Sequence, residues 1–214
     1  MANFEFPDVD TADEDGLLAL GGDLEPESLL LAYRSGIFPW PVDNVLAWWA
    51  PPERGVVFLD ELHISRSLAR ELKTARYETK IDGAFAEVIT RCAEVVNRGD
   101  QGGTWITPYL RKAYIEFAKL GYARSFESYF NGELVGGLYG VMIDNFFVAE
   151  SSFYRMPNAS KVAFVAMTSH LKSLGIKWFD CQMVTPFSKS FGARSIPRAE
   201  FMRLLAESRA SANT

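Results

Sequence analysis

The sequence predicts an α+β fold: a small amino-terminal α/β domain over residues 1–53 and a larger domain over 54–214. Three observations carry this. Hydrophobic residues are 48% and charged residues 23% of the 214, the proportions of a folded globular chain long enough for one large or two small domains. Apolar spacing changes from helical over 65–120 to three strand-like runs, 122–130, 133–143 and 145–153. Pro39, Pro41, Pro51 and Pro52 bracket an aromatic stretch that cannot continue a helix, which sets a boundary near residue 54.

Each element follows from local chemistry. Glu25-Pro26-Glu27-Ser28 opens a short helix with acids and proline in its first turn, and Gly36 lies just past its end. Phe38 to Pro52 reads as irregular chain with short strands. Ser65 to Arg76 reads as a helix, Tyr77 to Ile81 as a strand, and residues 83–96 and 108–120 as two amphipathic helices. Asn131-Gly132 and Asp144-Asn145 separate the three apolar runs into an antiparallel meander. Asn158 is placed to cap a helix running to about Leu174, Gly175 ends it, and Ile176 to Gln182 reads as an interior strand. Three antiparallel strands, a helix and a further strand are the layout of an acetyltransferase-like core.

Charge divides unevenly along the chain. The net charge is -5, yet residues 1–33 hold nine acids and no Lys or Arg, so the remainder carries +4. An acidic amino-terminal region on a mildly basic body suits either a cationic partner or a solvated surface. No uncharged run exceeds ten residues, about half of a membrane span, and Met-Ala-Asn-Phe-Glu lacks a basic region and an apolar core. With two cysteines, Cys92 and Cys181, a cytoplasmic protein with no membrane association is expected, and a monomer is favoured.

Metal chemistry finds no support in spacing, because His63 and His170 stand far apart without ligand neighbours. In Asp180-Cys181-Gln182 the strand alternation turns Asp180 and Gln182 to one face and Cys181 to the other, into packing. Two polar groups on one face of a core strand are costly to bury without partners, which suits either a working site or the capping of a loop. Glu150 is a lone acid in an apolar strand, placed for function or for an ion pair with Arg155. Trp40, Trp48, Trp49 and Trp105 could stack on a base or simply fill core. Arg66, Arg70, Lys73 and, less regularly, Arg76 form one stripe on a helix, a shape that fits a phosphate backbone or a solvated face.

Taken together, the motifs are more specific than the single residues. Gly16 to Leu24, Ala32 to Trp40, Ala47 to Pro51, Leu62 to Ser67, Thr104 to Thr107, Leu134 to Gly140, Glu150-Ser151, Asn158 to Lys161, Asp180 to Gln182, Phe191 to Ala193 and Ile196 to Arg198 resemble, in number and order, the leucyl/phenylalanyl-tRNA-protein transferases. The resemblance covers about residues 6–200. It implies a small amino-terminal domain followed by an acetyltransferase-like domain. It also implies transfer of leucine or phenylalanine, with methionine a further candidate, from aminoacyl-tRNA to proteins beginning with Arg or Lys, marking them for degradation.

That chemistry needs no cofactor, aminoacyl-tRNA being a substrate. By resemblance Asp180, Gln182 and Glu150 are the catalytic residues: Gln182 orients the attacking amine, Asp180 supports it electrostatically, and Glu150 holds a cationic amine or the acceptor's basic side chain. Trp40 and Trp105 match aromatics at the aminoacyl-adenosine end. Leu138, Phe147, Ser152, Met167 and Phe179 match the apolar pocket, and the Arg66 stripe is expected on tRNA. Phe147 and Glu150 have opposite parity on a regular strand, so facing one pocket requires a β-bulge between them. Family members usually have Glu where Gly102 stands and Gly where Ala149 stands, and often His, Met and Phe where Phe187, Ser152 and Met167 stand. These departures imply a reshaped pocket. Rival readings are an acetyl-CoA-dependent N-acetyltransferase, which residues 155–163 do not favour because they lack a glycine-rich phosphate turn, and a non-catalytic RNA-binding module.

Overall fold

The computed structural model describes residues 5–95, 97–98, 101–102 and 104–211. Residues 1–4, which begin the segment read above for a leader, and Val96, the last residue of the helix expected over 83–96, lie outside the described residues. The fold is α+β. In the amino-terminal part β1 (Leu17–Leu20), β2 (Phe38–Pro39) and β3 (Ala47–Trp49) form a small antiparallel sheet in the order β1-β3-β2, beside helix α1 (Pro26–Arg34).

The main sheet has seven strands in the order β12-β4-β11-β10-β9-β8-β5. Its strands are β4 (Glu53–Phe58), β5 (Glu78–Ile81), β8 (Ala123–Phe130), β9 (Glu133–Ile143), β10 (Phe146–Tyr154), β11 (Trp178–Gln182) and β12 (Arg194–Pro197). A two-residue pair, β6 (Asn97–Arg98) and β7 (Gln101–Gly102), stands apart. The expected meander is present as β8-β9-β10, turning at Asn131 and Asp144, both at positive φ. β11 lies parallel to β10 in the sheet interior, the central position its apolar residues Trp178 and Phe179 suit, with Asp180 and Gln182 as polar exceptions at its carboxyl end.

Helices α2 (Arg66–Lys73) and α5 (Ala159–Ser173) cover one side of this sheet. The other side meets α3 (Phe85–Ala93), α4 (Pro108–Lys119), α7 (Arg198–Ser211) and the amino-terminal part, while α6 (Pro186–Lys189) is a single turn. Asn158 does precede α5, but it sits at φ 65° and makes no side-chain cap, so its value is the left-handed turn it permits. Each side of the sheet has its own core cluster. The first joins Leu29, Tyr33, Ile37 and Trp48 of the amino-terminal part to Tyr114, Tyr139, Val148 and Phe201. The second joins Leu68, Leu138, Phe147, Met167 and Phe179. Among the described residues, the core of the amino-terminal part is continuous with the first cluster of the larger sheet.

Candidate active site

The site begins where β10 and β11 part. Their parallel register is fixed at Val148 opposite Asp180, and directly beyond it both strands lose regularity. β10 shifts register against β9 between Ala149 and Ser151, and β11 shifts against β4 between Asp180 and Gln182. A bulge re-aims the side chains around it, and here two neighbouring bulges bring Glu150 and Gln182 together. Gln182 Nε2 donates to Glu150 Oε1 at 3.0 Å, and both residues are buried.

Tyr33, on the buried face of α1, donates its hydroxyl to the same Glu150 oxygen at 2.6 Å. Its single proton being committed there, Tyr114 of α4 is the donor in the Tyr33–Tyr114 hydrogen bond. Burial, and then the charge of Glu150, push both phenols well above their ordinary range, so they stay protonated and donating. Glu150 Oε2 is buried without a hydrogen-bond partner among the described residues. Burial raises the Glu150 carboxyl to about 7, against the opposing pull of the Tyr33 and Gln182 hydrogen bonds.

Asp180 is wholly buried and faces Arg54 of β4. Arg54 Nε lies 3.0 Å from both carboxylate oxygens, and Nη2 lies 2.6 Å from Oδ2. Nη1 donates to the carbonyl of Gly36 at 3.0 Å, and the guanidinium sits 4.5 Å from the Phe38 ring centroid and 4.6 Å from that of Phe201. Breaking such a buried pair by removing one partner costs about 3–5 kcal/mol, because a charge is then stranded without water. Asp180 Oδ1 also accepts the backbone N–H of Gln182 at 2.6 Å. Gln182 has φ 61°, and the N–H of Met183 bonds the carbonyl of Cys181 at 2.7 Å, closing a three-residue turn around Gln182. Cys181 packs toward the α5 side, and burial pushes its thiol up to about 12, which disfavours the thiolate.

Asp180, Gln182 and Glu150 are thus brought together, and Asp180 and Gln182 keep the shared face expected of them. Trp40 and Trp105 also meet, their rings stacked at 4.8 Å and 16°. Two expectations need correction. The β10 bulge lies at Glu150 itself, between Ala149 and Ser151, and not between Phe147 and Glu150, so the two do not come to one side: Glu150 bonds Tyr33 of the first cluster, whereas Phe147 lies in the second, against Phe126 and Phe179. The ion pair of Glu150 with Arg155 is absent, because Arg155 is exposed and lies 3.9 Å from Glu94.

Leu138, Phe147, Met167 and Phe179 fill the second cluster, with half-buried Ser152 opposite Leu138 in the ladder. Arg66, Arg70, Lys73 and Arg76 are all exposed on and just after α2, and Arg76 lies over Tyr77 and Phe130 and 3.8 Å from Glu71. Ala149 lies at the β10 bulge and Phe187 packs on Phe164 and Phe191. Sequence reasoning missed Arg54, Tyr33 and Tyr114. A charged residue heading the apolar run Gly55-Val56-Val57-Phe58 was a usable signal for Arg54, but the tyrosines sit at ordinary helical core spacing. Among the described residues no cluster of His, Cys, Asp or Glu could hold a metal ion, and no helix is long and apolar enough to cross a membrane.

Comparison with known proteins gives a consistent result. The family model described as leucyl/phenylalanyl-tRNA protein transferase matches residues 56–206, and that of the same family's N-terminal domain matches residues 22–52. A leucyl/phenylalanyl-tRNA–protein transferase of Nitratidesulfovibrio vulgaris is 49% identical over 94% of this chain and 86% of its own. One from Syntrophotalea carbinolica is 50% identical over 94% of this chain and 87% of its own. Among solved structures, that of L-PGS from Bacillus licheniformis aligns over 76% of this chain and 52% of its own, with a TM-score of 0.43 and 14% identity, a likeness too slight to add to the fold described above.

Proposed function

Because the chain belongs to the leucyl/phenylalanyl-tRNA–protein transferase family, we propose that Gln182 and Glu150 are the groups that meet the attacking amine as it moves leucine or phenylalanine from aminoacyl-tRNA to proteins beginning with Arg or Lys. One observation carries the assignment. A buried carboxylate with an unshared oxygen adjoins an amide whose nitrogen is already engaged, which leaves the Gln182 carbonyl oxygen as the end that accepts an amine N–H.

In the reaction the neutral α-amine adds to the carbonyl carbon of the aminoacyl ester, forming the C–N bond and a tetrahedral intermediate. Collapse breaks the C–O bond to the terminal ribose. The amine loses one proton and the leaving ribose oxygen gains one, so the step needs no external oxidant or reductant. Glu150 near pH 7 suits a group that takes this proton and returns it. Its charge also favours an Arg or Lys side chain over an acidic one.

The remaining assignments extend the same reading to the residues around the site. The stacked Trp40 and Trp105 offer aromatic faces to the terminal adenosine. Leu138, Phe147, Met167 and Phe179 of the second cluster, with Ser152 opposite Leu138, are assigned to the aminoacyl side chain, which has to pass between the parting ends of β10 and β11 to reach them from the Glu150 side. The exposed Arg66, Arg70, Lys73 and Arg76 are assigned to the tRNA backbone. Residues 1–53 and 54–214 act as one catalytic body, and a cytoplasmic monomer suits both substrates. Incubation with labelled leucyl-tRNA and a protein beginning with Arg tests the reading: label is expected on the protein, and label that stays on tRNA or is released as free leucine would refute it.

A further inference from the structure

We infer that Arg54 is a positioning residue for the transfer step, locking Gln182 in its left-handed turn through Asp180, and that Asp180 acts by holding that turn and not by touching a reacting atom. The inference rests on the assignment of Gln182 made above. It goes beyond that assignment by naming what fixes the glutamine and by removing Asp180 from direct contact with substrate.

The lone pairs of Asp180 are already engaged. Oδ1 takes the Gln182 N–H at 2.6 Å and Arg54 Nε at 3.0 Å, while Oδ2 takes Nη2 at 2.6 Å and Nε at 3.0 Å. The side chain has no exposed surface, so neither oxygen is presented to a substrate. Arg54 in turn has little freedom to tilt, held at Nη1 by the Gly36 carbonyl and on its faces by Phe38 and Phe201. The result is a rigid line running from the loop after α1, through the sheet, to the backbone nitrogen of Gln182.

That rigidity answers a specific need. A side-chain-bearing residue at φ 61° is strained and persists only where its surroundings over-determine it. Three restraints do so here: the N–H of Gln182 on Asp180, the N–H of Met183 on Cys181, and the close fit of the turn against β4. The fit is available because residue 55 is glycine. A Cβ there would come within 2.7 Å of the Met183 carbonyl carbon and 2.9 Å of the Val184 nitrogen. Released from this hold, the turn would relax toward a regular strand, and the Gln182 amide would swing away from Glu150. Lysine cannot replace the clamp, since one ammonium cannot serve two carboxylate oxygens and the Gly36 carbonyl in a planar fork.

The test compares Arg54→Lys, Asp180→Asn, the double Arg54→Gln/Asp180→Asn, and Gln182→Ala, by kcat and KM for aminoacyl-tRNA and by hydrogen exchange at the Gln182 amide. Arg54→Lys is expected to lower kcat at least about tenfold, the scale of a catalytic group displaced by less than an ångström, with KM unchanged and Gln182 exchange accelerated. Asp180→Asn alone strands the guanidinium and turns an amide NH2 against it. The double variant removes both charges and keeps an acceptor for the Gln182 N–H, so it should recover at least about fivefold in kcat over Asp180→Asn. Wild-type kcat in Arg54→Lys, or a double variant no faster than Asp180→Asn, overturns the inference and leaves the Gln182 assignment standing. Wild-type kcat in Gln182→Ala overturns that assignment and this inference together.

Discussion

Replacing Glu150 by Gln separates the cost of the buried carboxylate from its use. In the folded chain burial raises this carboxyl from an ordinary 4.5 to about 7. Between those pH values the native state holds a proton that the unfolded chain has released, so native stability falls as pH rises through the window. The ratio of the two ionisation constants corresponds to about 3 kcal/mol, fully expressed above pH 7 and absent below pH 4.5. Gln has the shape of the protonated acid, accepts from Tyr33 and Gln182 through its oxygen, and puts its NH2 where Oε2 has no partner. The assay is denaturant unfolding of both proteins from pH 4.5 to 8.5, taken as the difference between them, in which all other titrations cancel. The variant should match wild type at acid pH and exceed it by about 3 kcal/mol at pH 8, while transferring more slowly. A difference that stays flat across the window, or one that turns in favour of wild type at high pH, would show that the carboxylate is not held against solvation as described.

Four further outcomes follow from the same geometry. Gln182→Ala should slow transfer at least about tenfold with little change in melting temperature, as measured by single-turnover kinetics beside thermal unfolding. Tyr33→Phe removes a hydrogen bond that stabilises the Glu150 carboxylate, so the pH window of the preceding experiment should move upward. Replacing Arg66, Arg70 and Lys73 together with Ala should weaken tRNA binding and reduce its salt slope by roughly one or less per charge, and unchanged binding in a salt titration would make the stripe a solvated face. Glu150→Gln should also lower transfer to Arg-starting and Lys-starting peptides by about one to two orders of magnitude relative to Ala-starting ones in competition assays. An unchanged ratio would assign Glu150 to the amine alone.

Local chemistry made much of the sheet legible. Asn131-Gly132 and Asp144-Asn145 announce their turns because few other residues accept the positive φ found at 131, 132 and 144. Asp180 and Gln182 stand out because polar side chains in a buried strand demand partners. Those partners could not be read in the same way. Arg54 lies 126 residues from Asp180 and Tyr33 lies 117 from Glu150, distances over which periodicity carries no information. Tyr33 also occupies an apolar position of an amphipathic helix, where its ring explains it and its hydroxyl goes unnoticed. A bulge is expected from the sequence so that Phe147 and Glu150 can share one pocket, but the register shift lies beyond Ala149. Alternation from Phe147 to Glu150 is regular, and the two residues stay on opposite sides of the sheet, Glu150 with the Tyr33 hydroxyl.

The place of β4 in the sheet has a consequence for biosynthesis. This strand leaves the ribosome early, but its neighbours β11 and β12 are both carboxy-terminal, so it waits for almost the whole chain before it can pair. At about 5–20 residues per second, the 126 residues between Arg54 and Asp180 take roughly 6 to 25 s to synthesise. During that interval the guanidinium has no carboxylate to meet and the meander β8-β9-β10 can form without it. A nascent or truncated chain ending before β11 can therefore possess the stacked Trp40 and Trp105 and the basic helix α2 while having no means of transfer, and contacts of such long sequence separation make closure of the sheet around β4 a slow step of folding.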